Sequence, residues 1–328
     1  MRRREFITFA GAALAAYPLN VGAQQSERAR RIAVLIGVED DAEGQARLAA
    51  FRNGMHDLGW NEGRDMQMDV RFTSGDADQA RAYVAELIRW APDVILANSS
   101  PVVAALKRQT KTIPIVFAQV VDPVSSGFVD SLARPGGNIT GFVSSDFGIG
   151  AKWLEILKQI APGVVRVGVL RDPETPAGSG QLGAIQAATS SFKVELKALD
   201  VRDTATIERG LSGFAREPNG GLIVLNSVTA SIHHKLITDL AARLRLPAIY
   251  PYRFFVADGG LVSYGIDNHA LWQKAAGYVD RILKGAKPAE LPVQEPTKFE
   301  LVINLKAANE LGFTVPPALV ARADEVIE

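Results

Sequence analysis

"RIAVLIGV" (31–38) is an unbroken apolar run that leads into an amphipathic stretch through Arg47, Phe51 and Leu58, stopping at Gly59. Such a run reads as a strand buried on both faces, and the stretch behind it has helical period. The pattern then repeats. "MQMDVRFT" (66–73) alternates as a strand and 76–90 reads as a helix. "DVILANS" (93–99), a helix from Pro101 to Gln109 and "IPIVFAQV" (113–120) continue it. Strands separated by helices of this length imply βαβ units and a parallel sheet.

"ARPGGNITGF" (133–142) is dense in Gly and Pro and reads as a loop or crossover, not a regular element. The rhythm restarts behind it with a helix (149–160), "VRVGVLRD" (165–172), a helix near 177–190 and "KVELKAL" (193–199). A helix (203–215), "GGLIVLNS" (220–227), a helix (229–244) and "LPAIYP" (246–251) complete a second unit. Two successive α/β units of similar size predict two lobes, as does a chain of about 300 residues behind its leader. The last part differs. "GGLVSYGID" (259–267) reads as a strand, "LWQKAAGYVDRILKG" (271–285) as a helix and "KPAELPVQEP" (287–296) as an extended connector; "KFELVINLKAANELG" (298–312) runs from strand into helix. This order predicts that the chain returns to the first lobe and crosses again to the second. The expected bounds are 30–141 plus 268–288 for one lobe and 142–267 plus 289–328 for the other, with the crossings as a hinge.

The leader speaks to location. Arg2, Arg3 and Arg4 precede an apolar run from Phe9 to Tyr17, and Val21, Gly22 and Ala23 offer small residues before Gln24. This is the layout of a secretory signal cut after Ala23, and "RRREFIT" resembles a twin-arginine motif. The apolar run is shorter than the ~20 residues that span a bilayer. Lys plus Arg and Asp plus Glu number 36 each, so net charge favours neither nucleic acid nor anionic membrane as partner. Cysteine is absent, which removes disulfides, thiolate chemistry and a lipid attachment point. His56, His233, His234 and His269 show no metal-ligand spacing and read as surface residues; no metal or cofactor is expected. GxSxG, HExxH and a phosphate loop are missing, so catalysis is not expected.

Ligands of doubly wound sheets bind beyond the carboxyl ends of strands. Asn98, Ser99 and Ser100, ahead of Pro101, open a helix with hydroxyls and backbone N–H groups suited to a carboxylate, or to plain capping. Gln119 and Asp122 end another strand; Asp122 is a candidate for a ligand ammonium or for capping the turn at Pro123. Asn226 and Ser227 hold the matching place in the second unit, with Arg171 and Asp172 beside them. Tyr250, Tyr252 and Tyr264 are candidate aromatic walls, or core. "GVEDDAEG" (37–44) resembles a cation site loosely and a solvated helix start better.

Longer stretches carry a resemblance. "FRNGMHDLGWNEGRDMQMDVRF", "IPIVFAQVVDPVSSGFV", "LARPGGNITGF", "GGLVSYGID" and the segment from "YVDRILKGAKPAELPVQEP" to the C-terminus are similar to periplasmic substrate-binding proteins of ABC transporters, whose better-known members bind tryptophan and related aromatic amino acids. The resemblance implies a type I periplasmic-binding fold: two Rossmann-like lobes with parallel sheets joined by a three-segment hinge, clamping a ligand between them. It implies no catalytic residue. Ligand contacts would come from Asn98, Ser99, Ser100, Gln119, Asp122, Asn226 and Ser227, with Tyr250 and Tyr264 as stacking walls. The expected function is periplasmic capture of an amino acid or small carboxylate for an inner-membrane ABC permease, by a monomeric chain; a sensor for a signalling kinase would use the same fold.

Overall fold

The computed structural model describes residues 28–144, 147–173 and 178–328. The proposed leader, 1–23, lies outside them. In chain order the first unit runs β1 (Arg30–Ile36), α1 (Ala42–Asp57), β2 (Met66–Phe72), α2 (Ala77–Arg89), β3 (Val94–Asn98), α3 (Ser100–Gln109), β4 (Ile115–Val120) and β5 (Ile139–Val143). The second runs α4 (Ile149–Ile160), β6 (Arg166–Arg171), α5 (Ser179–Phe192), β7 (Glu195–Asp200), α6 (Thr204–Phe214) and β8 (Gly220–Val224). It continues with α7 (Val228–Ile232), α8 (His234–Arg243), β9 (Ala248–Tyr250), α9 (Arg253–Ala257) and β10 (Val262–Ile266). Then come α10 (Asn268–Leu283), a 3₁₀ turn (Pro288–Glu290), β11 (Phe299–Asn304), α11 (Leu305–Leu311), α12 (Pro317–Val320) and β12 (Glu325–Ile327).

Two sheets result, one of five strands in the order β2-β1-β3-β4-β5 and one of seven in the order β12-β11-β10-β9-β8-β6-β7. Every pairing is parallel except β10 with β11. The inner strands β1, β3, β4 and β8 are apolar and buried along nearly their whole length, as expected where helices cover both faces. Helix starts are marked in the sequence. Asp41, Asp76, Asp203, Ser227, Asp267 and Asn304 each accept a hydrogen bond from a first-turn N–H. Asp41 therefore makes "GVEDDAEG" a capped helix start, and no cluster of metal-ligating side chains occurs among the described residues.

Three readings of the sequence are corrected. The Gly/Pro-rich stretch 133–142 is a loop only in part, because its end forms β5, the buried edge partner of β4. Gly141 is demanded there by close approach: at φ +154°, a Cβ would lie 2.1 Å from the Phe117 carbonyl oxygen. The helix expected over 229–244 is broken at His233, between α7 and α8. The connector 287–296 is not wholly extended, since it begins with the 3₁₀ turn. Beyond that turn, Gln294 accepts from Val143 N–H and donates its own N–H to Gly141, adding to the edge of β5.

The return of the chain is visible in packing. α10 lies along α1 and over β4, so Trp272, Ala275, Ala276 and Val279 join the core that holds Phe51 and Met55. The chain passes between the sheets after β5, at Asp267 between β10 and α10, and along the stretch before β11.

Candidate functional site

In each sheet the strand order reverses beside the first strand of its unit, between β1 and β3 and between β6 and β8. Loops leave these strands in opposite directions, so a crevice opens at their carboxyl ends. The two crevices face each other across one cavity of about 800 Å³. Gly37, Thr73, Asn98–Pro101, Gln119 and Val121 line it from the first sheet; Asp172, Asp203, Asn226–Thr229 and Tyr252 line it from the second.

The β3–α3 junction is the most constrained part. Asn98 and Ser99 are 2 % and 5 % exposed, and Ser99 sits at φ 80°, ψ 151°, a region normally reserved for glycine. That bend turns the first turn of α3 toward the cavity. Ser99 makes no side-chain cap to its own helix, and its Oγ is buried without a protein partner. Asn98 Nδ2 donates to the Ala118 carbonyl and to Gln119 Oε1, while its Oδ1 has no partner. Gly37 must be small here: a Cβ would meet Ser99 Oγ at 2.2 Å. Ser100 lines the cavity beside them.

Gln119 occupies a register shift between β4 and β5 at φ 59°, which aims its amide inward instead of along the ladder. Its Oε1 accepts from Asn98 Nδ2 (3.0 Å), Arg47 Nη1 (3.2 Å) and Trp272 Nε1 (3.0 Å), and its Nε2 donates to Asn268 Oδ1 (2.6 Å). Asn268 Nδ2 donates to Glu43 Oε1 (3.3 Å), which also accepts from Arg47 Nε (2.8 Å). Gln119, Arg47, Glu43 and Asn268 thus form a closed ring beneath the cavity. Burial pushes the Glu43 carboxyl up, but the His269 hydrogen bond and the Arg47 charge outweigh it, leaving its pKa at about 2. Glu43 is ionised and Arg47 is a compensated buried cation.

From the second sheet, Asn226 Nδ2 donates to the Tyr252 hydroxyl (3.1 Å), and Asn226 Oδ1 is buried without a partner. Ser227 caps α7 through its Oγ and lines the cavity. Burial raises the Tyr252 pKa, so its hydroxyl is a neutral donor and acceptor. Asp172 also lines the cavity and accepts from Thr229 Oγ1.

Asn98, Ser99, Ser100, Gln119, Asn226 and Ser227 are therefore brought together, but three other expected residues are not. Asp122 is absent from the lining, and its carboxylate accepts from Ser125 N–H at 3.0 Å, the capping alternative. Tyr250 is 1 % exposed and stacks on Phe255, with burial raising its pKa. Tyr264 stacks on Phe299 at the far part of the second core. Tyr252 is the tyrosine that faces the cavity. His234 is not a surface residue, since only 13 % of its side chain is exposed and its ring pairs with Asp258. Arg47 and Trp272 stand inside helices and carry no strand-end signal, whereas Asn268 follows the end of β10 by two residues. A basic residue between Gly44, Leu48 and Phe51 on the buried face of α1 was the legible hint for Arg47.

The whole of this architecture, residues 31–327, matches the family model of the ABC transporter substrate binding proteins. The chain belongs to this family. As a member of a substrate-binding family it is not an enzyme. It is 25 % identical over 308 residues to a tyrosine-binding protein of Clostridioides difficile, covering 92 % of this chain and 87 % of the relative. Among solved structures it superposes on a conserved domain protein of Vibrio cholerae with a TM-score of 0.85 at 28 % identity, over 91 % of this chain and all of the other. The ABC domain of Streptococcus pneumoniae, solved with L-Trp, gives 0.84 at 24 % identity over the same shares. A ligand-free, open substrate-binding protein of Clostridium difficile gives 0.68 at 23 % identity, over 91 % of this substrate-binding protein and 99 % of the other.

Proposed function

We propose that this protein is the periplasmic receptor of an ABC importer, closing on an amino acid or small carboxylate and presenting it to an inner-membrane permease. The carrying observation is the set of buried polar atoms without protein partners at facing strand ends: Asn98 Oδ1 and Ser99 Oγ from one sheet, Asn226 Oδ1 from the other. Leaving such atoms unpaired costs about 1–3 kcal/mol each. A ligand touching both sheets satisfies them together, which makes the closed arrangement the bound one. The first turn of α3 suits its carboxylate, through backbone N–H groups and the Ser99 and Ser100 hydroxyls. Of the lining carboxylates, Asp76 and Asp203 cap α2 and α6, and Asp172, which accepts from Thr229 Oγ1 at the cavity wall, is the one placed to take a ligand ammonium as a further partner. Tyr252 offers an aromatic edge, and the relative named for tyrosine binding supports an aromatic amino acid.

The lobes proposed are residues 30–141 plus 268–288, and 142–267 plus 289–328, working as a monomer after export and removal of 1–23. A thermal-shift panel of amino acids and their des-amino carboxylic counterparts tests the reading. A true ligand at a hundred times its Kd adds about 2.7 kcal/mol of stability. Asp172→Asn then lowers affinity for the amino acid by about thirtyfold, roughly 2 kcal/mol, and leaves the des-amino counterpart unaffected. A panel without any shift counts against amino-acid and carboxylate capture alike.

A further inference from the structure

Arg47 belongs to the first lobe, yet its guanidinium does not stop there. Its Cζ lies 5.6 Å from the ring centroid of Phe254, on α9 of the second lobe. Phe254 packs on Tyr252 (5.5 Å), Phe255 (4.8 Å) and, edge to face, His234 (5.2 Å), all from its own lobe. Arg47 thus reaches this aromatic group across the gap. The two lobes meet closely at this point. The space left among Glu39, Asp41, Arg47, Ser231, His234 and Phe254 is about 20 Å³, room for about one water. A second touch lies nearby, where a Cβ on Gly75 would be 2.6 Å from Ile232 Cδ1.

We propose that Arg47 and Phe254 form an interlobe latch, with Arg47 held in place by the Gln119–Asn268–Glu43 ring. The inference rests on the reading of the protein as a hinged clamp. Its logic is geometric. Arg47 is 2 % exposed, and its Nε and Nη1 are tied to Glu43 and Gln119, so the guanidinium plane is set before the lobes meet. The same ring includes Asn268, the residue immediately after the crossing at Asp267, and Gln119 carries Asn98 at the cavity floor. A planar cation fixed in this way loses little freedom when Phe254 arrives, and stacks on an aromatic face as lysine would not. Tyr252, which packs on Phe254, carries the hydroxyl that Asn226 holds at the ligand cavity, so latch and site share one aromatic wall. Arg47 and Phe254 are positioning residues: they bias closure and need not touch the ligand.

The absence of native cysteine makes the test direct. Spin labels on Lys111→Cys in the first lobe and Arg209→Cys in the second, both exposed, report the interlobe distance in the full ligand-free protein. In the parent, a short-distance population is expected beside a longer one. Phe254→Leu keeps apolar volume but removes the π face, and should lower the short-to-long ratio about tenfold, equivalent to about 1.4 kcal/mol. Phe254→Tyr keeps the face and should stay within about twofold of the parent. A merely structural role would lower the melting temperature of Phe254→Leu without moving the distances measured well below it. Unchanged distances in Phe254→Leu, or equal losses in Leu and Tyr, overturn the latch while leaving the clamp intact. A parent without a short population overturns the latch as well. One narrow distance shared by every variant overturns latch and clamp together.

Discussion

Replacing Gln119 by Leu tests whether the ring beneath the cavity is a single unit. Leucine has nearly the same volume, so the substitution leaves no large cavity and removes the amide alone. Arg47 Nη1 and Trp272 Nε1 lose their acceptor and Asn268 Oδ1 loses its donor, whereas Asn98 Nδ2 keeps the Ala118 carbonyl. At the lower end of about 1–3 kcal/mol for each of these three orphaned groups, the loss is about 3 kcal/mol. Unfolding entropy of about 2.1 cal/mol/K per residue over about 300 residues is about 0.6 kcal/mol/K, which makes this a fall in Tm of about 5 °C. Gln119→Glu keeps the acceptor oxygen facing Arg47 and Trp272 and orphans Asn268 Oδ1 alone, while adding a charge that Arg47 meets, so its fall should be smaller than that of Gln119→Leu. Differential scanning calorimetry at neutral pH reads both. A Gln119→Leu protein melting within about 2 °C of the parent would refute the reasoning, because it would mean that the three groups find other partners at little cost.

Ser99→Gly should raise Tm by up to about 5 °C, since strain of about 1–3 kcal/mol at φ 80°, ψ 151° is relieved, while ligand affinity falls with the lost hydroxyl; a drop in Tm would contradict the strain. Gly141→Ala should cost more than about 3 kcal/mol, because its Cβ would strike backbone atoms of Phe117 at 2.1 and 2.6 Å, and a melting curve like the parent's would disprove that close approach. Acid sensitivity should trace to Glu43. Its folded pKa of about 2 lies below its ordinary 4.5, so its stabilisation is complete above pH 4.5 and lost as pH falls toward 2, in total about 3 kcal/mol. Urea unfolding across that window should show a flatter slope for Glu43→Gln, and parallel slopes would assign the sensitivity elsewhere. His269 acts in the opposite direction: its pKa is raised by the hydrogen bond to Glu43, so its contribution is full below pH 6.5 and fades as pH rises through the folded value.

Much of this protein is decided locally. Apolar runs such as 31–38 and 93–98 can be satisfied only as strands covered on both faces, and Asp41, Asp76, Asp203 and Asp267 mark helix starts because a short acceptor there meets free N–H groups. Those two signals were enough for the α/β class and for the strand ends where Asn98, Ser99 and Asn226 stand. β5 escaped because a glycine required by the nearness of Phe117 looks, in one dimension, like a glycine required by a turn. What the strand ends do with their side chains depends on distant partners. Asp122 had a local amide within reach and took it, whereas Gln119 was drawn inward by Arg47, Trp272 and Asn268, the last two about 150 positions away. Tyr252, not Tyr250 or Tyr264, faces the cavity because it stands in the turn behind β9, whereas Tyr250 within β9 stacks on Phe255 and Tyr264 within β10 stacks on Phe299. Sequence sets which groups can form a hydrogen bond or stack; only the meeting of two lobes, with α10 returned to the first, decides which of them do.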